Sequence, residues 1–211
     1  MMNWNNIHDA ILIGDIASTP KLVEAAISEG ASAEDVLEKG LIAGMADVGA
    51  KFKANDIFVP EVLIAARAMH AAMDVLEPLL VASGVKPKAT VAVGTVKGDL
   101  HDIGKNLVVM MLKGAGFNVV DLGIDIAPDA FVTRAEEANA SLIAMSSLLT
   151  TSMPSIKSTI EILKQRSLSS KIKTVIGGAP ITQEYADSIG ADGYAQDASS
   201  AVDKVKELLG L

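Results

Sequence analysis

Gly94 to Asn106, GTVKGDLHDIGKN, is the stretch whose reading decides this chain. A short apolar run, Thr90-Val91-Ala92-Val93, precedes it, and an amphipathic run from Ile103 to Lys113 follows. A strand feeding a helix through a polar loop puts that loop at the carboxyl end of a sheet, where open α/β sheets bind their ligands. The loop carries Asp99, His101 and Gly104. A carboxylate two residues before an imidazole can accept a bond from its Nδ1–H, leaving Nε2 free as a metal ligand. The same pair also suits a helix-capping Asp beside an exposed His.

Outward from this loop, composition narrows the class. The chain has 211 residues, half of them hydrophobic but only 3% aromatic, with nine Met and a net charge of −8. Its core must rest on aliphatic side chains and on Met, which adapts to irregular surfaces. The negative charge argues against a nucleic-acid or anionic-membrane footprint. No apolar run approaches the roughly 18–20 residues of a membrane span. The start, MMNWNNIHDAILIGD, has acids and no basic segment, unlike a signal peptide. With no Cys there is no disulfide framework or thiolate site. A soluble, cytoplasmic protein is expected.

Residues 1–83 show helical periodicity. Trp4, Ile7, Ile11 and Leu12 fit a first helix, and Ser18-Thr19-Pro20 opens a second that stops at Glu29-Gly30. Ser32 with Asp35 resembles a capping box before a third helix through Val36, Leu37, Leu41, Met45 and Val48. Residues 49–61 break the pattern. A fourth helix starts near Pro60, with Val62, Ala66, Met69, Met73, Leu76 and Leu80 on one stripe, and Pro78 is expected to kink or end it. Four helices with short connections make a bundle. Residues 84–89 form a linker, and strands and helices alternate over 90–211. The strands are Thr90–Thr95, Asn118–Leu122, Leu142–Ser146, Thr174–Gly177 and Gly193–Ala195; the helices are Ile103–Gly114, Pro128–Asn139, Pro154–Gln165, Ile181–Ile189 and Ser199–Leu209. Uniformly apolar strands suit a parallel sheet covered on both faces. The fold class is α/β: a four-helix cap bundle, then a flavodoxin-like, Rossmann-like doubly wound sheet of five parallel strands.

Other residues gather at the same sheet edge. Ser146 and Ser147 end the third strand, followed by Leu148, Leu149, Thr150 and Thr151; Gly177-Gly178 follow the fourth. Each has an ordinary turn reading. A self-contained zinc or iron site is unattractive, because the other two His, His8 and His70, fall in the bundle. A metal on His101 would take its remaining ligands from a macrocycle.

Taken together, Asp99-x-His101-x-x-Gly104, 41 residues, Ser146-x-Leu148, 28 residues and Gly177-Gly178 resemble the cobalamin-binding signature of base-off, His-on corrinoid proteins. Gly49-x-x-Phe52 with Phe58-Val59-Pro60-Glu61-Val62 resembles the cap bundle of the methyl-transferring members. The chain looks like the small corrinoid subunits that serve demethylation of methanol, methylamines, glycine betaine or aryl methyl ethers. The resemblance implies that His101 is the lower axial ligand to cobalt, that Asp99 orients it, and that Ser146 continues the hydrogen-bond relay. It implies that Gly104, Leu148, Thr150, Gly177 and Gly178 line the channel for the displaced nucleotide tail. Phe58, Val62, Met69 and Met73 are where cap contacts to the corrin are expected. The implied activity is one-carbon metabolism: Co(I) accepts a methyl group from a substrate-specific methyltransferase, and methyl-Co(III) is presented to an acceptor methyltransferase using tetrahydrofolate or a thiol. A reductive activator is a third implied partner. Alternatives of other classes are a cobalamin sensor or store, a detached subunit of an adenosylcobalamin isomerase, and a flavodoxin-like module without corrinoid.

Overall fold

The computed structural model describes residues 4–211, so the first three residues of the opening segment lie outside it. The chain divides into two compact units. One holds the residues up to Pro87 together with Lys113–Gly116, and the other holds Lys88–Leu112 and Phe117–Leu211.

The first unit is helical: α1 (Asn5–Leu12), α2 (Thr19–Ser28), α3 (Ala33–Asp35), a π-helical stretch Val36–Ile42, α4 (Ala43–Lys53) and α5 (Val59–Ser83). The stretch from α3 to α4 is one rod, so four helices result. Helix α2 packs on α5 and α1 on α4, burying Ile7, Ile11, Val23, Val36, Leu41, Met45, Val48, Val62 and Leu76. Ser32 caps its rod by accepting from the Asp35 N–H at 3.0 Å. Three local expectations are corrected. The hydroxyl of Ser18, at the N-cap of α2, makes no cap bond; the turn before the helix is held by Asp15, its Oδ1 accepting from the N–H of Ser18 at 2.9 Å and of Ala17 at 3.2 Å. The break expected over residues 49–61 shrinks to residues 54–58, because Gly49 is buried within α4 rather than ending it. Helix α5 runs through Pro78 to Ser83 and stops at Gly84, which takes the left-handed φ of 75°. At the π-helical stretch the carbonyl of Lys39 accepts from Nε2 of His8, 2.7 Å away.

The second unit alternates β1 (Thr90–Val96), α6 (Ile103–Gly114), β2 (Asn118–Ile126), α7 (Pro128–Glu137), β3 (Leu142–Ser146), α8 (Met153–Gln165), β4 (Lys173–Gly177), α9 (Gln183–Ile189), β5 (Gly193–Ala195) and α10 (Ala198–Leu209). All pairings are parallel and the order is β2-β1-β3-β4-β5. Central strands β1, β3 and β4 are buried along nearly their whole length. Alternate residues serve the two faces: Ala92, Val96, Ile143, Met145 and Ile176 join Phe131, Ile156, Ile160 and Leu163 in one cluster. The intervening Val91, Val93, Leu142 and Val175 are also buried. Gly94 lets the strand pass Phe131, whose ring would lie 2.9 Å from an added Cβ. Strand β2 continues four residues past the expected end at Leu122, with shifts in its register against β1. Helix α9 begins at Gln183 because Thr182 caps it, accepting from the Tyr185 N–H at 3.1 Å. The strand order reverses direction between β1 and β3, which opens a crevice at their carboxyl ends.

Candidate functional site

The β1–α6 loop enters that crevice. Thr95, buried at the end of β1, donates its hydroxyl to the carbonyl of His101 at 2.9 Å and so folds the loop back on its strand. The Asp99 side chain is fully buried and accepts five hydrogen bonds. Oδ1 takes the His101 N–H at 3.0 Å and Nδ1 of the same residue at 2.7 Å. Oδ2 takes the Leu148 N–H at 2.5 Å, the Leu149 N–H at 3.3 Å and the Ser152 hydroxyl at 3.2 Å. Burial pushes the Asp99 carboxyl up, but the His101 and Leu148 amides, the His101 ring and the Ser152 hydroxyl outweigh it and bring the pKa down to about 2. Asp99 is therefore a carboxylate at neutral pH and accepts a hydrogen bond from Nδ1–H of His101. Nε2 is left as the free ring nitrogen, available as a lone-pair donor. The His101 side chain is half exposed.

The sequence expectations are met unevenly. Asp99 and His101 lie in the loop after β1 and Leu148 in the loop after β3, while Gly104 is the second residue of α6. No heavy atom lies within 4 Å of a Cβ added at Gly104, so the protein's own packing does not require glycine there. Leu100, Ile103, Leu148 and Leu149 flank the imidazole in sequence and across the crevice, and all are exposed. This loop set thus leaves open room and apolar surface beside a free imidazole nitrogen. Gly177 and Gly178 are demanded by the protein itself. A Cβ on Gly177 would come within 2.7 Å of the Ala195 carbonyl oxygen, and one on Gly178, at φ +131°, would overlap the Ser147 carbonyl oxygen. Thr150 is exposed. In the helical unit Phe58 is exposed at the start of α5, Val62 and Met69 are buried, and Met73 is half-buried. Among the described residues no three His, Asp or Glu side chains gather as a metal shell.

Over residues 89–203 the chain matches the model of a B12 binding domain, and residues 4–77 match a second B12 binding domain model. This chain belongs to the corrinoid protein family. Dimethylamine corrinoid protein 1 of Methanosarcina acetivorans is 45% identical over 94% of this chain and 95% of its own length. A solved cobalamin-binding protein from Desulfitobacterium hafniense has a TM-score of 0.83 at 29% identity, covering 98% of each chain. The methanol:cobalamin methyltransferase complex MtaBC of Methanosarcina barkeri has a TM-score of 0.85 at 28% identity over 97% of this chain and 78% of that one.

As a corrinoid protein the chain departs from its sequence reading at the third relay residue. The hydroxyl on Asp99 is that of Ser152, not Ser146. Ser146 is the last residue of β3, in register with Thr95 and Gly177, and the chain must pass Leu148 and turn before a hydroxyl reaches the carboxylate. Ser152 is buried, and its Oγ also lies 2.7 Å from Oγ of buried Ser147 and 2.9 Å from the Leu149 carbonyl. Ser152 stands at the N-cap position of α8, where a hydroxyl ordinarily bonds forward to the helix; it makes no such bond and turns instead to Asp99 and Leu149, which the sequence does not signal.

Proposed function

We propose that this corrinoid protein is the methyl-carrying subunit of a multi-component methyltransferase system, holding its cofactor base-off with His101 as the protein ligand. One observation carries the reading: an imidazole whose Nδ1 is tied to a buried carboxylate at 2.7 Å while Nε2 makes no hydrogen bond among the described residues. When bound, the corrinoid supplies a nucleophilic cobalt that accepts a methyl group from one partner and yields it to another. The protein supplies binding, orientation and proton control. Asp99 keeps the proton on Nδ1 and raises the donor strength of Nε2. Ser152 and the Leu148 and Leu149 amides hold that carboxylate charged and fixed. Were Nε2 free of the metal, the same carboxylate would offset the charge of a doubly protonated ring. Gly104, Leu148 and Thr150 offer the space and apolar wall for a long cofactor tail, and the backbone approach at Gly177 and Gly178 shapes its far side. Of the four cap residues, Phe58 presents the exposed apolar surface suited to a corrin face.

The Methanosarcina acetivorans relative is named a dimethylamine corrinoid protein, and a solved neighbour is named a methanol:cobalamin methyltransferase complex. Both favour a carrier with a substrate-specific methyltransferase partner over a sensor or an isomerase subunit. An acceptor methyltransferase and a reductive activator complete the cycle.

Reduction of cobalamin-loaded protein to the Co(II) state is expected to give an EPR spectrum with coupling to one histidine nitrogen, altered by ¹⁵N-histidine labelling. The His101→Ala variant is expected to keep some cofactor and lose that coupling. An unchanged nitrogen splitting in His101→Ala would remove His101 from the role. Transfer of labelled methyl to the bound cofactor should need a partner methyltransferase, and equal rates without one would contradict carriage.

A further inference from the structure

The main chain and the side chain of Asp99 are fixed from different elements. The β3–α8 loop holds the carboxylate through the Leu148, Leu149 and Ser152 donors. The carbonyl of Asp99 instead accepts from the N–H of Asp125, at 3.1 Å, on edge strand β2. The Asp125 side chain returns two more bonds: Oδ1 accepts from the Gly98 N–H at 2.8 Å and Oδ2 pairs with Lys97 Nζ at 3.2 Å. Asp125 thus grips three successive residues of the loop that carries His101. To do so it sits at φ 54°, a left-handed conformation uncommon outside glycine but tolerated by Asp and Asn. Gly98, at φ 85°, turns its N–H toward that carboxylate.

The loop is pinned at its far end by the same strand. The ammonium of Lys105, buried in the first turn of α6, lies 2.6 Å from Oδ2 of Asp121 and 2.7 Å from Oδ1 of Asn106. Asp121 and Asp125 lie on the same stretch of β2, one meeting the loop before His101 and the other the helix after it. Neither enters the hydrogen bonds of the imidazole itself. Their geometry fits a role in setting where the main chain presents that ring.

We infer that Asp125 is a positioning residue for His101, its three bonds to Lys97, Gly98 and Asp99 holding the loop so that Nε2 can reach the cobalt. The inference rests on the His101 reading above. Removing the Asp125 side chain keeps its N–H bond to the Asp99 carbonyl but frees Lys97 and Gly98, so the main chain leading to His101 shifts, cofactor binding survives and nitrogen coordination falls.

Two substitutions separate bonding from backbone strain. Gly accepts φ 54° freely and removes the side-chain acceptor, whereas Asn keeps both the conformation and an oxygen acceptor for Gly98. Full-length Asp125→Gly and Asp125→Asn are loaded with cobalamin, reduced to the Co(II) state and measured by EPR for the ratio of nitrogen-coordinated to uncoordinated cobalt, beside wild type and His101→Ala. Asp125→Gly is expected to bind cobalamin in wild-type stoichiometry with that ratio lowered roughly tenfold, about 1.4 kcal/mol. Asp125→Asn is expected to match wild type. A wild-type ratio in Asp125→Gly, or equal loss in both variants, overturns the inference. Amide hydrogen exchange on the cofactor-free proteins gives a second reading: Gly98 should exchange faster in Asp125→Gly while Leu148 stays protected. Equal Gly98 exchange in wild type and Asp125→Gly overturns the grip. Absence of nitrogen coupling in wild type would instead overturn the His101 assignment, with the grip still judged by exchange.

Discussion

Asp99 is where the energetics of the site concentrate. Its pKa of about 2 in the folded chain lies below the roughly 3.9 of an exposed Asp. The folded protein therefore binds this proton more weakly than the unfolded chain does. The ionised group contributes stability that is complete above about pH 5 and lost as the pH falls through about 2, a difference of about 2–3 kcal/mol. In cofactor-free protein Asp99→Asn should be less stable than wild type at pH 6, with the gap narrowing as both are titrated from about pH 5 toward 2. Denaturant melts across that range measure it, and a gap independent of pH would remove the ionised carboxylate as the cause. At this scale legibility followed sequence distance. Asp99 and His101 were legible because a single residue separates donor from acceptor. Ser152 was not, because a turn of unknown path decides whether Ser146 or a later hydroxyl meets the carboxylate. The two glycines at the end of β4 were legible as important, but their requirement lies in backbone approach to Ser147 and Ala195.

Among the elements, α5 departs most from expectation. Apolar spacing predicted the helix, and Pro78 predicted its interruption, yet the chain stays helical for five more residues. Proline removes one donor and crowds the carbonyl one turn back, costing about 3 kcal/mol in a helix interior. Leu76 and Leu80, buried on either side of it, offset that cost by keeping the last turns packed. Pro78→Ala should therefore raise the unfolding midpoint of the helical unit by restoring the bond to the Asp74 carbonyl, a gain of about 1–3 kcal/mol. Thermal melts followed by circular dichroism test this, and an unchanged or lower midpoint would mean the proline ring itself serves the packing. The π-helical stretch Val36–Ile42 escaped the sequence reading for a related reason: its apolar residues also satisfy the ordinary helical period, so only the hydrogen-bond pattern reveals it. Strands β1, β3, β4 and β5 were legible to within a residue or two because Gly and polar turns bracket short apolar runs. Strand β2 was not, because its extension through Gly123 and Asp125 uses positive φ values that read as a turn.

For the whole molecule, the composition excluded a thiolate site, and among the described residues no helix is long and apolar enough to cross a membrane. A ligand that binds only the folded chain raises its stability by about 2.7 kcal/mol at 100 times its dissociation constant. For a chain of this size that is a midpoint shift of about 5–10 °C. Calorimetric scans with and without cobalamin should show it, and no shift at saturating cobalamin would contradict a folded-state corrinoid site. The parallel order of the sheet has a further consequence, in time rather than energy. No two neighbouring strands are joined by a hairpin, so every pairing waits for a crossover to fold back. Thr90 must find Asn118 on one side, while Val91 must find Leu142, much farther along the chain, on the other. Non-local pairings of this kind slow folding, and the β1–β3 seam requires the longest chain closure in the sheet. That seam is the crevice in which the His101 loop lies. Conservative truncations there, such as Val93→Ala, should mainly speed unfolding and leave the folding rate nearly unchanged in stopped-flow chevrons. The site would then be the last part of the sheet to close, and cofactor loading would follow chain folding rather than guide it.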